Sequence, residues 1–403
     1  MPITPQFPDL LLVDYQARSA YTDQFEGDQE AISQLRYGFF GEVGGLLSAV
    51  KKFHREKPLS SSRQESAEEE IGDALWYLAA LVRRSGLDFD SVGEEAVTHL
   101  QRRLGLASAE RSANGISFSQ IDGLIAFQKD RMPNDFGTLL YELAGRTGGL
   151  FANFHSTAGE LVCPSNVELY GRLLELLALV AATFDLRLTG VAASNLKKIE
   201  SRWKPESAMY RPFFDSDFPE YEQLPREFEI EFIERQVKTK DMVIQRWRGV
   251  NIGDPLTDNR LDGDHYRFHD VFHFAYVAHL GWSPVIRGLL KLKRKSRSEI
   301  DENEDGARAM IIEEGIATWI FNHARDTGGF FEDVQVGKLE YALLKQVESM
   351  VTGYEVDKCP LWQWERAILD GFSVFRQLRD NHGGIVKINM HDHSITYLGK
   401  FGK

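Results

Sequence analysis

The chain has 403 residues, 43% hydrophobic and 27% charged, which is enough for two or three ordered domains. Its formal net charge of -13 argues against broad binding to a nucleic-acid backbone, and its two cysteines, Cys163 and Cys359, are too few and too far apart for a zinc motif or a disulfide framework. No basic segment followed by an apolar core opens the chain, and the most apolar stretch, around Leu173 to Phe184, is too short to span a membrane; a cytoplasmic protein without a signal peptide is expected.

From Asp9 to about Leu104 the pattern predicts helices. Leu35, Phe39, Val43, Leu46 and Val50 recur at helical spacing, as do Ile71, Leu75, Leu78 and Val82. Between them Pro58 to Gln64 reads as a polar loop, and Ser66 with Glu69 reads as a capping box opening the next helix. Gly105 to Ser117 is small and polar and reads as a linker. The chain then restarts. Gly41-Glu-Val-Gly-Gly-Leu-Leu returns as Gly145-Arg-Thr-Gly-Gly-Leu-Phe, a shift of 104 (145 minus 41). Ile71-Gly-Asp returns as Tyr170-Gly-Arg, a shift of 99 (170 minus 71), and Leu87 to Val92 then falls on Leu186 to Val191. The loop between the paired helices is therefore about five residues shorter in the second copy, where a repeat tolerates a change in length.

A Pro- and aromatic-rich connector runs from Lys204 to Pro225, and Glu227 to Trp247 reads as a charged amphipathic helix. The chain stays mainly helical to about Phe375. The basic run Lys291 to Arg297 and the acidic run Glu299 to Asp305 read as a solvated loop. Gly384 to Met390 and Ser394 to Leu398 alternate in polarity and predict a small β-hairpin.

Chemistry concentrates first on the earlier copy. Glu70 and Asp73, three apart, share one helix face, and Glu42 stands on the preceding helix. All three sit in apolar surroundings (Phe39, Val43 and Leu46 near Glu42; Ala74, Leu75 and Trp76 beside Asp73). Acids in such a setting are costly unless they hold a cation, and oxygen donors from two helices suit Mg²⁺ or Mn²⁺. The segments Gly41-Glu-Val-Gly-Gly-Leu-Leu-Ser-Ala-Val-Lys-Lys and Glu69-Glu-Ile-Gly-Asp-Ala-Leu-Trp-Tyr-Leu, with Asp14-Tyr-Gln-Ala and Thr22-Asp-Gln-Phe upstream, resemble the MazG-like nucleotide pyrophosphohydrolases of the all-α NTP pyrophosphatase superfamily. The resemblance covers roughly the first half of the chain. It implies Mg²⁺-dependent hydrolysis of nucleoside triphosphates to monophosphate and pyrophosphate, with metal acids Glu42, Glu70 and Asp73. The family's fourth acid falls on Gly45, and Glu69 is the neighbouring residue that can compensate.

The resemblance also implies a later helix carrying Asn-x-x-Lys and an Arg. The first copy has Ala96, His99 and Arg103 there; the second has Asn195, Lys198 and Arg202. The second copy in turn has Arg146, Leu169 and Arg172 where the first has its three acids. Family members pair such units into dimers, so the expectation is an internal pseudo-dimer with one composite site: acids from the first copy, Asn195 for sugar or base, Lys198 and Arg202 for phosphate charge. The expected fold is all-α, a tandem helical bundle over 1–104 and 119–204, followed by a mainly helical domain over 226–403 ending in the hairpin. The substrate expected is a nucleoside triphosphate, with a homo-oligomer left open and a nucleotide-binding sensor or scaffold as the competing function.

The C-terminal region carries a second constellation. His265, His269 and His273 are spaced four apart, which aligns them on one helix face, and Glu313 and Glu314 lie in a later apolar helix. His269, His273 and a glutamate can bind a transition metal or form a buried hydrogen-bonded network.

Overall fold

The computed structural model describes residues 9–56, 60–107, 115–126, 136–152 and 164–400. It divides into two compact units, the first ending at Glu200 and the second beginning at Ser201. No single helix among the described residues is long and apolar enough to cross a membrane.

The first unit is helical. α1 (Leu12–Ser19) is followed by α2 (Asp28–Glu56), α3 (Ser60–Arg84) and α4 (Phe89–Leu104), then α5 (Phe118–Ala126), α6 (Phe136–Ala152), α7 (Pro164–Thr183) and α8 (Leu188–Arg202), whose last two residues are counted with the second unit. α2 packs on α3 and α6 on α7, the two hairpins that the apolar spacing predicts, while α4 packs on α7. Leu35, Phe39, Val43 and Leu46 of α2 and Ile71, Leu75, Leu78 and Val82 of α3 are buried. α3 begins earlier than expected, so Ser66 is not its cap. The polar residues before Ser66 are compatible with a helix, and the Ser66 hydroxyl donates one turn back to the Ser62 carbonyl at 2.9 Å. Pro58, residues 108–114 of the linker, Cys163 and the loop whose length differs between the copies (153–163) lie outside the described residues.

Several contacts recur in both halves of this unit. Leu12 N donates to Ile116 O and Phe118 N to Leu10 O, so the residues that open α1 and α5 each bond the segment preceding the other helix. Gln16 Oε1 accepts from Phe89 N at the start of α4, and Asp122 Oδ1 accepts from Leu188 N at the start of α8. A Cβ on Gly72 would meet Asn195 of α8, and one on Gly171 would meet Glu95 and Ala96 of α4.

The second unit combines helices with one antiparallel sheet of order β3-β2-β1-β4-β5, formed by β1 (Glu227–Val237), β2 (Lys240–Trp247), β3 (Val250–Leu256), β4 (Gly383–Asn389) and β5 (Ser394–Gly399). The fold is thus mainly helical rather than all-α, and Glu227 to Trp247 is two strands rather than a helix. The physical reason is a period of two: Phe228, Ile230 and Phe232 are buried while Glu227 and Glu229 face out. The charges find partners across strands, Glu231 with Arg246 and Glu227 with Lys387. The expected terminal hairpin is present as β4 and β5, and it extends the sheet through β1.

Helices α9 (Asp270–Leu280) and α14 (Leu361–Asn381) pack against each other and on β4 and β5. Phe274 of α9 meets Phe228 and Phe232 of β1 edge to face, at centroid distances of 6.1 Å. α10 (Pro284–Leu290), α11 (Ser298–Asn303), α12 (Ala307–Asp326) and α13 (Tyr341–Val351) complete the unit. The basic and acidic runs are not simply solvated: Arg294 is fully buried and bonds Asp305 at 2.7 Å.

Candidate functional site

Three helices of the first unit bring the predicted residues together. α2 carries Glu42, α3 carries Glu69, Glu70 and Asp73, and α8 carries Asn195 and Lys198. Lys198 Nζ lies 2.6 Å from Asp73 Oδ2 and 3.4 Å from Glu69 Oε1. Asn195 Nδ2 donates to Asp73 Oδ1 at 3.1 Å, and Asn195 Oδ1 accepts from the buried Tyr15 hydroxyl at 2.7 Å. Tyr15 therefore sets which way the Asn195 amide points. Gly72 allows this approach, because its missing side chain leaves room for the Asn195 and Val191 side chains of α8 beside Asp73.

Glu42 and Glu70 form the other half of the cluster. They share a hydrogen bond, and burial, with the charges of Asp73 and Glu70 added, pushes the Glu42 carboxyl up to about 8. Burial also raises Glu70, although the bond from Glu42 pulls the other way. Gly45 explains how the pair fits. A Cβ there would overlap the Glu70 carboxylate, so Glu70 occupies the space where a side chain at position 45 would begin. The same pair of positions in the second half holds Gly149 and Leu169, whose Cδ1 lies 3.6 Å from where a Gly149 Cβ would stand.

Around α7, charged side chains of α4, α6 and α7 close on one another. Arg103 pairs with the fully buried Glu175 at 2.7 Å and with Glu142 at 2.9 Å, while Arg172 reaches Glu175 at 3.4 Å. Burial and the Arg172 charge lower the His99 pKa.

Arg202 lies in the second unit, nearly buried. Its guanidinium bonds Glu365 Oε2 at 3.0 Å and the carbonyls of Leu339 and Gly337 at 2.7 and 3.2 Å. These bonds satisfy a buried charge, and they engage the guanidinium to which the sequence assigned phosphate charge.

The His/Glu constellation of the second unit also assembles, with one departure. His265 leaves the helix face, because the chain turns through a left-handed residue there (φ 67°) and a short 3₁₀ segment before α9 begins. His269, His273 and Glu314 each offer a ligand atom within 4.8 Å of the others. His269 Nε2 is 3.7 Å and His273 Nε2 3.5 Å from Glu314 Oε2, and Asp270 Oδ1 is 3.1 Å from His269 Nε2. Glu313 turns inward instead, bonding His273 Nδ1 at 2.8 Å, Ser283 Oγ at 2.6 Å and Val285 N at 2.8 Å. Burial would lower His273, but Glu313 beside it holds it well above its usual value; burial would raise Glu314, but the two imidazoles hold it well below the usual carboxylate range.

Sequence reasoning missed Tyr15 and the fully buried Glu175. Tyr15 lies next to Asp14 in the segment quoted for the resemblance, but nothing local signals a partner 180 residues away. Glu175 is an acid inside the most apolar stretch of the chain, a signal that was available.

Residues 209–400 match the family model of the MazG C-terminal domain. Over 82 residues, 19% of this chain and 72% of the other, the sequence is 30% identical to the Gene 37 protein of Mycobacterium phage L5. No solved structure matches the chain.

Proposed function

Because this chain belongs to the MazG-like proteins, we propose that it hydrolyses nucleoside triphosphates to monophosphate and pyrophosphate at a single site built from both halves of its first unit. The observation that carries this reading is the meeting of Lys198 and Asn195 with Asp73. Cation, amide and acid come from opposite ends of the unit's sequence, and each is absent from the corresponding place in the other half. The reciprocal bonds of Leu12 with Ile116 and Phe118 with Leu10 support reading the unit as an internal pseudo-dimer.

Glu42, Glu70 and Asp73, with Glu69 beside them, form a set of hard oxygen donors whose mutual repulsion a divalent cation would relieve, which suits Mg²⁺ or Mn²⁺. When bound, such an ion would shield phosphate charge. Lys198 would offset the charge that develops on the phosphate oxygens, exchanging its bond to Asp73 for one to substrate. Asn195, held by Tyr15, would present its amide to sugar or base.

A panel of NTPs and dNTPs with Mg²⁺, read by pyrophosphate release and product identity, tests the reading. Asp73→Ala should abolish turnover, and Lys198→Ala should lower it by about a hundred-fold. Unchanged binding and turnover in Lys198→Ala would end the shared-site reading. The competing function, a nucleotide sensor, draws on the carboxylate missing at Gly45; tight nucleotide binding by the wild-type chain without turnover would favour it.

A further inference from the structure

The geometry points to a second, chemically different metal site in the C-terminal unit: a divalent transition metal, zinc being the type ion, held by His269 Nε2, His273 Nε2 and Glu314. Three observations converge. First, both imidazoles have their Nδ1 atoms engaged. His269 Nδ1 bonds the Tyr266 carbonyl at 2.9 Å and His273 Nδ1 bonds Glu313 at 2.8 Å. A carbonyl or carboxylate partner on one ring nitrogen turns the other outward as a ligand, as at metal-bound histidines generally.

Second, His273 Nε2 is completely buried and has no hydrogen-bond partner among the described residues. Its neighbour in that direction is Glu314 Oε2 at 3.5 Å, with the same oxygen 3.7 Å from His269 Nε2. Both distances are long for a charge-assisted hydrogen bond. They resemble the separation of about 3.4 Å between donor atoms around an ion bound tetrahedrally at roughly 2.1 Å.

Third, the supports are fixed. The His269 ring stacks on Tyr266 with centroids 4.1 Å apart, and Tyr266 is tied to Thr318 on the same helix as Glu314. Glu313 is locked by Ser283 and by the Val285 amide. The consecutive acids of α12 thus divide the work: Glu313 orients a ligand and Glu314 is one. Two nitrogens and one carboxylate oxygen select a borderline transition metal over Mg²⁺, so this site and the acid cluster of the first unit would take different ions. Asp270, beside His269, is the adjacent fourth donor, and the half-exposed Glu314 leaves one side open to water.

The test uses the full-length chain carrying Asp73→Ala, so that the acids of the first unit compete less. Co²⁺ titration followed by visible absorption, with Zn²⁺ in equilibrium dialysis, should saturate at a single ion per chain. Adding Glu314→Gln or His269→Ala should weaken binding by roughly tenfold or more while the metal-free melting temperature stays near that of the parent. Glu313→Gln should weaken binding through the orientation of His273. Equal Co²⁺ spectra and affinities in the parent, Glu314→Gln and His269→Ala would overturn the proposal, as would a parent that binds no Co²⁺. Pyrophosphate release is not the readout, so failure here and failure of the proposed hydrolysis are separate results.

Discussion

Glu42 is the residue on which solution conditions act most directly. Its carboxyl rises from an ordinary 4.5 to about 8, because burial and the charges of Asp73 and Glu70 oppose ionisation. Between those values the folded chain holds a proton that the unfolded chain has released. Stability linked to this group is therefore fully present below about pH 4.5 and is lost as pH rises toward 8. In chelator, the melting temperature should fall across that window, and Glu42→Gln should flatten the slope; a slope indifferent to the substitution would rule this out. Tyr15 offers a second test at this scale. Tyr15→Phe keeps the buried ring and removes the donor to Asn195 Oδ1, at a cost of about 1–3 kcal/mol in urea unfolding. Turnover should drop as well, since the Asn195 amide is then free to flip.

At the scale of elements, the approach of α8 to α3 depends on Gly72. A Cβ there would stand 3.2 Å from the Asn195 Cβ, so a branched side chain has to push α8 outward. Gly72→Val should lower turnover by about the same factor as Lys198→Ala while leaving the unit helical by circular dichroism. The helices that hold the acids were legible because their apolar residues repeat with one clear period. The first two strands were not. Glu227, Glu231 and Glu234 fit a helical spacing while Glu227, Glu229 and Glu231 fit an alternating one, and the buried set Phe228, Ile230 and Phe232 decides only once a partner face exists. A better signal was Arg248-Gly249, both in the left-handed region (φ 49° and 79°) at the turn between β2 and β3. In the same way, His265 fits the spacing of His269 and His273, but helical spacing has meaning only where the chain is helical.

Across the whole first unit, two clusters of charged side chains differ in composition. The acids of α2 and α3 meet Lys198 of α8, whereas Arg103 of α4 joins Glu142, Arg172 and Glu175 in an ion-pair network of its own. Glu175→Gln should therefore cost about 1–3 kcal/mol of stability, by leaving two guanidinium groups short of a partner, and should leave the kinetic constants unchanged. A loss of turnover without a loss of stability would contradict that division. The meeting of Asn195 and Lys198 with the acids was legible because the two sequence stretches could be compared, Ala96 and His99 standing against Asn195 and Lys198. The same comparison gave no sign of the partner that Arg202 has, Glu365.

Gly45 and Glu70 have a bearing on how this site can change. Any side chain at position 45 has to displace the Glu70 carboxylate from its place beside Glu42. The two positions are thus epistatic. An acid placed at 45 arrives only as the acid at 70 moves, so a fourth carboxylate cannot be added here by one substitution that leaves the other three where they stand.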